Sequence, residues 1–100
     1  MDMEEGVKKE LGGALLREVD VGISTSKKAD LVVIKEDTVY VIEVEDELNY
    51  AAIGQALAYS ELYKQRYSEK RDVKPVIACS KIDLDLKLVC ERLNIKLIKL

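Results

Sequence analysis

The sequence predicts a mixed α/β fold in which a five-stranded sheet is flanked by helices, in the order α-β-β-β-α-β-α-β. Three segments have apolar residues every three or four positions, which is the period of an amphipathic helix. Short runs rich in Val and Ile lie between these segments and predict the strands. The first three strands are consecutive and predict an antiparallel meander, whereas helices precede the last two and predict parallel crossovers.

The first helix is predicted from Met3 to about Arg17. Gly12 and Gly13 interrupt its pattern, at about 1 kcal/mol each relative to Ala, and allow a kink or a close backbone approach. The first strand follows at about residues 19–23, where apolar residues alternate with polar residues or glycine. The apolar positions of the helix are Met3, Val7, Leu11, Ala14 and Leu15.

Two strands at about residues 29–35 and 38–45 come next, joined by a tight hairpin. Their nearly continuous apolar character predicts a central position in the sheet. Asn49 is a favourable N-cap for a second helix that extends to about Ser68. Small and aliphatic residues form the helix face that is suited to packing on a sheet, namely Ile53, Ala56, Leu57 and Ser60.

The last three elements continue the alternation of strand and helix. Residues 73–80 form the fourth strand, and Asp83 caps a third helix. Asn94 is suited to the left-handed conformation that follows a helix, and residues 95–100 form the fifth strand. The apolar stripe of the third helix consists of Leu86, Val89, Cys90 and Leu93.

The composition predicts one folded domain that spans residues 1–100 and has a single small core. Hydrophobic residues make up 48% of the chain and charged residues 35%, which excludes a disordered tail. The chain has no His, Trp or Phe. This composition excludes imidazole-based catalysis and the usual histidine-containing zinc or iron sites.

Hydropathy and charge bear on location and partners. No apolar run approaches the roughly 20 residues that span a bilayer, and the acidic start lacks the basic region of a signal peptide. We therefore expect a cytoplasmic protein without a membrane partner.

The net charge of −3 gives no global attraction to nucleic acid. Abundant Lys, Glu, Ile and Val are typical of a thermophilic source. Three basic pairs are either a local phosphate-binding surface or ordinary solvated surface: Lys8–Lys9, Lys27–Lys28 and Lys70–Arg71.

Cys79 and Cys90 are the only cysteines. Cys79 lies in an apolar run and Cys90 in the apolar stripe of the third helix, so both are predicted to be small buried hydrophobic residues. A disulfide, or half of a shared metal site, is the alternative. No cysteine cluster supports an iron–sulfur centre, and no motif predicts an organic cofactor.

Three acids define the candidate site. Asp30 lies at the start of one hairpin strand, and Glu43 and Glu45 lie at the end of its partner. A tight hairpin brings these carboxylates together, and a divalent metal ion or a shared proton relieves their repulsion. Asp30 and Glu43 would ligate Mg²⁺ or Mn²⁺ together with the backbone carbonyl of Val44. Glu45 points to the same face as Glu43 and would orient or deprotonate the attacking water.

The element order, the separation of Asp30 from Glu43 and the acid-x-acid strand end resemble the PD-(D/E)xK nuclease superfamily. That group includes archaeal Holliday-junction resolvases, RecB-type nuclease domains and many restriction enzymes, and the resemblance covers essentially the whole chain. It implies a restriction-endonuclease-like fold and metal-dependent hydrolysis of DNA, with Asp30 and Glu43 as metal ligands. A homodimer is expected, because one subunit of this length offers little surface for holding a duplex or junction.

Two further segments resemble members of this superfamily. Gln55 and Tyr59, at i and i+4 on the second helix, look like the Gln-x-x-x-Tyr element of RecB-type nucleases, where both residues face the active site and the DNA. Residues 6–11 are similar to the glycine-then-glutamate start of resolvases. This similarity nominates Glu10 as an additional catalytic acid, with Glu5 as the alternative.

Glu45 departs from the superfamily, most members of which have lysine at this position. Some restriction enzymes in the group have glutamate or glutamine there and remain active, whereas degenerate members have lost activity. Two functions therefore stay open, an active nuclease and a silent nuclease-like fold that serves as a DNA-binding or protein-interaction subunit. A third possibility is an unrelated α/β domain in which Asp30, Glu43 and Glu45 are structural or merely solvated.

Overall fold

The computed structural model describes residues 2–100 and has the predicted order of elements. One sheet has the strand order β1-β2-β3-β4-β5, in which β1, β2 and β3 are antiparallel neighbours and β3, β4 and β5 are parallel neighbours. The predicted meander and parallel crossovers are confirmed. The helices are α1 (Met3–Leu11), α2 (Tyr50–Arg66) and α3 (Leu84–Arg92), and the strands are β1 (Ala14–Asp20), β2 (Lys28–Ile34), β3 (Thr38–Glu47), β4 (Asp72–Lys81) and β5 (Lys96–Lys99).

The first helix is shorter than predicted, and the first strand starts earlier. α1 ends at Leu11, because Gly12 and Gly13 have φ angles of 68° and 73° that a right-handed helix cannot contain. The chain reverses at these glycines and β1 begins directly after them, so the prediction of a strand at residues 19–23 is wrong by several positions. A Cβ on Gly13 would lie 2.8 Å from the carbonyl oxygen of Ile34, so β1 and β2 can approach here only because the residue is glycine.

Helices cover both faces of the sheet. α1 covers one face, where Val7 and Leu11 pack on side chains of β2, β3 and β4. α2 and α3 cover the other face, which we call the α2 face. The first half of α2 packs with α3 on β4, whereas Tyr63 near its end packs on β2 and β3. Of the predicted sheet-facing positions of α2, Ile53, Ala56 and Ser60 are buried, and Leu57 is half-buried against the same cluster.

Polar side chains fix the helix ends near the predicted residues. Asn49 caps α2 by accepting the N–H of Ala52 at 2.8 Å, and Asp83 caps α3 through two backbone N–H groups. Asn94 has a φ of 57°, the predicted left-handed conformation after α3. The longest helix, α2, has 17 residues, and none of the helices in the described chain is long and apolar enough to cross a membrane.

The two cysteines are buried as free thiols in the cluster beneath α3, as the sequence predicts. Burial raises the pKa of both the Cys79 and the Cys90 thiol. The disulfide considered as an alternative does not form.

The sheet opens into a fork between β2 and β3. Their ladder ends at the pair formed by Leu31 and Ile42. Beyond that pair, β2 stays bonded to β1 as far as Lys28, and β3 stays bonded to β4 as far as Glu47. Each arm of the fork is therefore held by its outer neighbour, and the gap between the arms is where the candidate site lies.

Candidate functional site

Asp30 and Glu43 face each other across the opening of the fork. They occupy the position directly after the last ladder pair, Asp30 on β2 and Glu43 on β3. Side chains two residues apart on a strand share a face. Val32 and Val41, two residues back on each strand, are buried beneath α2, so both acids lie on the α2 face.

Each carboxylate of the pair accepts a hydrogen bond from the backbone of the opposite strand. The N–H of Val44 donates to Oδ2 of Asp30 at 2.8 Å, and the N–H of Asp30 donates to Oε2 of Glu43 at 3.4 Å. In a regular antiparallel ladder the N–H of Val44 would donate to the carbonyl oxygen of Ala29. The ladder ends before this pair, so the Asp30 carboxylate accepts the hydrogen bond instead. The carbonyl of Val44 is directed toward the same gap as its N–H.

Glu43 is a buried acid with a strongly shifted pKa. Its side chain lies on the α2 face of the sheet, and the residue is only 3% exposed. Burial, the negative charge of Asp30 and the negative charge of Glu45 together raise its pKa from 4.5 to about 7, although the hydrogen bond from the Asp30 N–H opposes the shift. A positive charge in the fork would relieve the first three effects at once. The surroundings of Glu43 thus raise its affinity for a proton.

Glu45 lies on the same face as Glu43, two residues further along β3, and is half-buried. Its charge acts on Glu43, as the raised pKa of Glu43 shows. Within residues 2–100, however, no three Asp, Glu, Cys or His side chains come together in the arrangement of a metal site. A metal ion here would therefore take two carboxylates, Asp30 and Glu43, and complete its shell with the Val44 carbonyl and water.

The structure places Gln55 and Tyr59 on the helix that covers the α2 face. Tyr59 is half-buried against the apolar cluster of β2 and β3, on the same face as the acid pair. Gln55 is exposed one turn earlier in α2. Tyr59 thus has a packing role in addition to any role at the site, whereas Gln55 is open to solvent and to a ligand.

The structure does not bring the first-helix acids to the pair. Glu10 lies 3.9 Å from Nζ of Lys96 on β5, which is three strands away from β2, or roughly 14 Å at the usual strand spacing. Glu5 lies in the first turn of α1, whose buried residues pack on the opposite face of the sheet. The similarity of residues 6–11 to resolvases nominates Glu10, but the structure places Glu10 beside Lys96 of β5 and away from Asp30 and Glu43.

Glu18 is a feature that the sequence does not reveal. It has a φ of 47°, which is rare for a residue with a side chain, and it is missing from the ladder between the pairs Arg17–Leu31 and Val19–Ala29. A regular ladder would pair Glu18 with Asp30. Because that pairing is absent, the N–H of Asp30 is free to donate to Glu43. No local sequence pattern predicts a left-handed backbone conformation at a glutamate such as Glu18.

Comparison with known proteins identifies the fold. No family model and no curated protein matches the sequence. A crystal structure of a repair endonuclease from Pyrococcus abyssi is similar, with a TM-score of 0.71 and 21% identity over 98% of this chain and 42% of that chain. A protein of unknown function has a TM-score of 0.68 and 20% identity over 93% of this chain and 55% of that chain. The chain spans about half the length of these proteins. At such identity the likeness establishes a nuclease-like, restriction-endonuclease-like α/β fold.

Proposed function

We propose that this chain is a metal-dependent nuclease that hydrolyses phosphodiester bonds of DNA with Mg²⁺ or Mn²⁺. The observation that carries the proposal is the acid pair Asp30 and Glu43, held face to face at the opening of the fork. The similar fold of a repair endonuclease supports DNA as the substrate.

The residues of the fork fit a hard divalent cation. Such an ion takes oxygen ligands, commonly one or two carboxylates with several waters. Asp30 and Glu43 offer two carboxylates, and the raised pKa of Glu43 reflects burial and negative charge that no positive side chain among residues 2–100 offsets. When bound, the ion would supply positive charge to the phosphodiester and acidify a water molecule.

The protein groups would have separate roles in holding the ion, activating the water and binding the DNA. Asp30, Glu43 and the carbonyl of Val44 hold the ion, and the hydrogen bonds across the fork keep the two carboxylates in place. Glu45, half-buried beside Glu43, orients the attacking water or accepts its proton. Gln55, exposed on α2, contacts the DNA, with Tyr59 supporting it one turn later.

A cleavage assay tests the proposal. Branched, nicked and single-stranded DNA are incubated with the native chain in Mg²⁺, in Mn²⁺ and in EDTA. We expect cleavage that requires the metal and is lost in Asp30→Asn, because one of the two carboxylates is removed while the side-chain shape is kept. Asp37→Asn, at the exposed turn of the same hairpin, is the matched control.

Equal activity in native protein and Asp30→Asn would overturn the catalytic assignment. Binding of Mn²⁺, followed by its paramagnetic effect on NMR signals of the fork, gives a second readout that does not depend on turnover. If Mn²⁺ broadens NMR signals elsewhere and leaves those of the residues around Asp30 unaffected, the proposal of a metal site in the fork is wrong.

A silent nuclease-like fold that binds DNA or a protein is the second candidate. It is favoured by one observation, namely that both carboxylates already accept backbone hydrogen bonds and so have a structural role in bracing the fork. Glu45 in place of the usual lysine is consistent with it. DNA binding without cleavage under any metal condition would favour this second function.

A further inference from the structure

One side of α3 has exposed apolar residues on both flanks of a charged stripe formed by Asp85 and Arg92. Of the nine large hydrophobic side chains that are exposed among residues 2–100, four belong to α3 or its C-cap residue. Leu84 and Leu88 are the most exposed of them, at 74% and 62%. Single exposed apolar residues are ordinary, but their concentration on one helix indicates an interaction surface. Leu84 and Leu88 form one flank, and Val89 and Leu93 form the other. Val89 and Leu93 belong to the predicted apolar stripe but are 41% and 42% exposed, because only Leu86 and Cys90 of that stripe are buried.

Two opposite charges are placed symmetrically on this helix. Asp85 and Arg92 lie equally far from the midpoint between Leu88 and Val89, about 5 Å along the axis on either side. Neither charge has an ion-pair partner within the described part of the chain. Their signs suit the helix dipole, but the dipole does not account for the apolar residues between them.

We propose that α3 is the contact surface of a two-fold symmetric dimer of this chain, in which the two α3 helices pack antiparallel. Around such an axis each Leu88 and each Val89 lies beside its own copy. Asp85 of each subunit then lies opposite the partner subunit's Arg92. The helix is complementary to itself, because the apolar centre meets an apolar centre and each end meets the opposite charge. This pairing does not depend on whether the acid pair cleaves DNA.

The length of α3 limits the area that the dimer can bury. α3 has nine residues and is about 14 Å long. One helix of this length buries less than the roughly 800 Å² per partner of a standard interface. An interface of this size is typical of weak, transient association, so sedimentation is followed over a range of protein concentrations up to the highest that the protein allows.

Sedimentation of matched variants tests the surface. We expect Leu88→Glu to weaken the dimer by about tenfold or more, because it places a charge beside its own copy at the apolar centre. Ile23→Glu is the control, since Ile23 is 60% exposed and Leu88 is 62% exposed, and Ile23 lies in the loop after β1. A native chain that stays monomeric at high concentration overturns the proposal, as does Leu88→Glu that associates like the native chain.

A charge-exchange experiment tests the antiparallel arrangement. Asp85→Arg and Arg92→Asp each place like charges opposite one another, so each variant alone associates about tenfold or more weakly. An equal mixture of the two restores the dimer, because one subunit is basic at both positions and the other acidic at both. A mixture that remains as weak as its components overturns the antiparallel pairing.

Circular dichroism measures whether these variants keep their helices. If a variant loses helix, cross-linking through Leu88→Cys tests the same interface independently. Leu88→Cys places a thiol at the two-fold axis, and an added mild oxidant takes up the two electrons and two protons as the disulfide forms. We expect a covalent dimer on a denaturing gel. The native chain is the control because its own cysteines are buried. Absence of the covalent dimer overturns the proposal.

Discussion

Glu43 combines burial, neighbouring like charges and a weak hydrogen bond at one position of the sheet. Its raised pKa has burial as its largest cause, and the charges of Asp30 and Glu45 add to it. Carboxyl groups with pKa values near neutrality are concentrated at functional sites, where they bind protons, cations or substrates. The same shift lowers the stability of the metal-free protein at neutral and alkaline pH.

Glu43→Gln should change how stability depends on pH. The pKa of Glu43 is about 7 in the folded chain and 4.5 ordinarily, so the folded state binds more protons between these values. The stability contributed by the protonated group is complete below pH 4.5 and is lost as pH rises through 7. Well above pH 7, Glu43→Gln should therefore be more stable than the native chain by about 3 kcal/mol, an upper bound, in free energy of unfolding.

Urea unfolding in EDTA at acidic and alkaline pH measures this difference. Glu36→Gln, an exposed acid of the β2–β3 turn, is the control and should follow the native pH dependence. A constant stability difference between native protein and Glu43→Gln at all pH values would contradict the assignment of the shifted pKa to Glu43.

Glu45→Gln tests the role of the third acid. If Glu45 orients or deprotonates water, the amide should lower the single-turnover cleavage rate by roughly 100-fold and leave Mn²⁺ binding nearly unchanged. Glu47→Gln, an exposed acid two residues later on β3, is the control. Glu45→Lys introduces the residue that most of the resembled superfamily has, and we expect it to cleave DNA. Cleavage by Glu45→Lys together with an inactive native chain would assign the native protein as the silent form.

At the scale of elements, two irregular backbone segments determine where the site forms. The glycines after α1 end the helix and turn the chain into β1, and Glu18 interrupts the ladder beside Asp30. Strained backbone that persists in a folded protein is often associated with function. Here the interruption at Glu18 frees the Asp30 N–H, which donates to Glu43 across the fork.

Gly12→Ala and Gly13→Ala should differ in cost although both residues have positive φ. A Cβ on Gly12 meets nothing within 4 Å, whereas one on Gly13 would lie 2.8 Å from a backbone oxygen of Ile34. Each substitution should lower stability by about 1–3 kcal/mol through backbone strain, and Gly13→Ala by about 1–3 kcal/mol more through the clash. Thermal unfolding measures both, and equal losses would contradict the close approach of β1 and β2.

At the scale of the whole molecule, the sheet separates a face covered by α1 from a face that carries the acids and α2. The chain has a net charge of −3 and the fork adds negative charge locally, so affinity for DNA cannot come from overall charge. In the proposed function a metal ion and local basic groups must offset this repulsion. A metal ion that binds only the folded fork should also stabilise the folded state.

Mn²⁺ should raise the thermal unfolding temperature of the native chain. A ligand that binds only the folded state at a hundred times its Kd adds about 2.7 kcal/mol, which corresponds to roughly 10–20 °C for a chain of this size. The shift should be lost in Asp30→Asn and retained in Asp37→Asn. An equal shift in both variants would show that the ion binds away from the fork.

Much of the fold follows from local sequence because periodicity and capping act over a few residues. The order of eight elements, the caps Asn49 and Asp83 and the left-handed Asn94 are all recognisable in this way. The pairing of Asp30 with Glu43 is also local, since a tight turn fixes the register of its hairpin.

Only the tertiary structure decides how these parts become a site. The opening of the fork depends on β1 and β4 holding its two arms, and Glu43 becomes only 3% exposed when β3 pairs with β4 in the folded sheet. Glu10 illustrates the same limit, because α1 places it beside β5 and away from the pair. The sequence by itself determined which acids face each other across a hairpin. Contacts between residues distant in the chain decided their spacing, burial and charge state, because these quantities depend on what surrounds the hairpin.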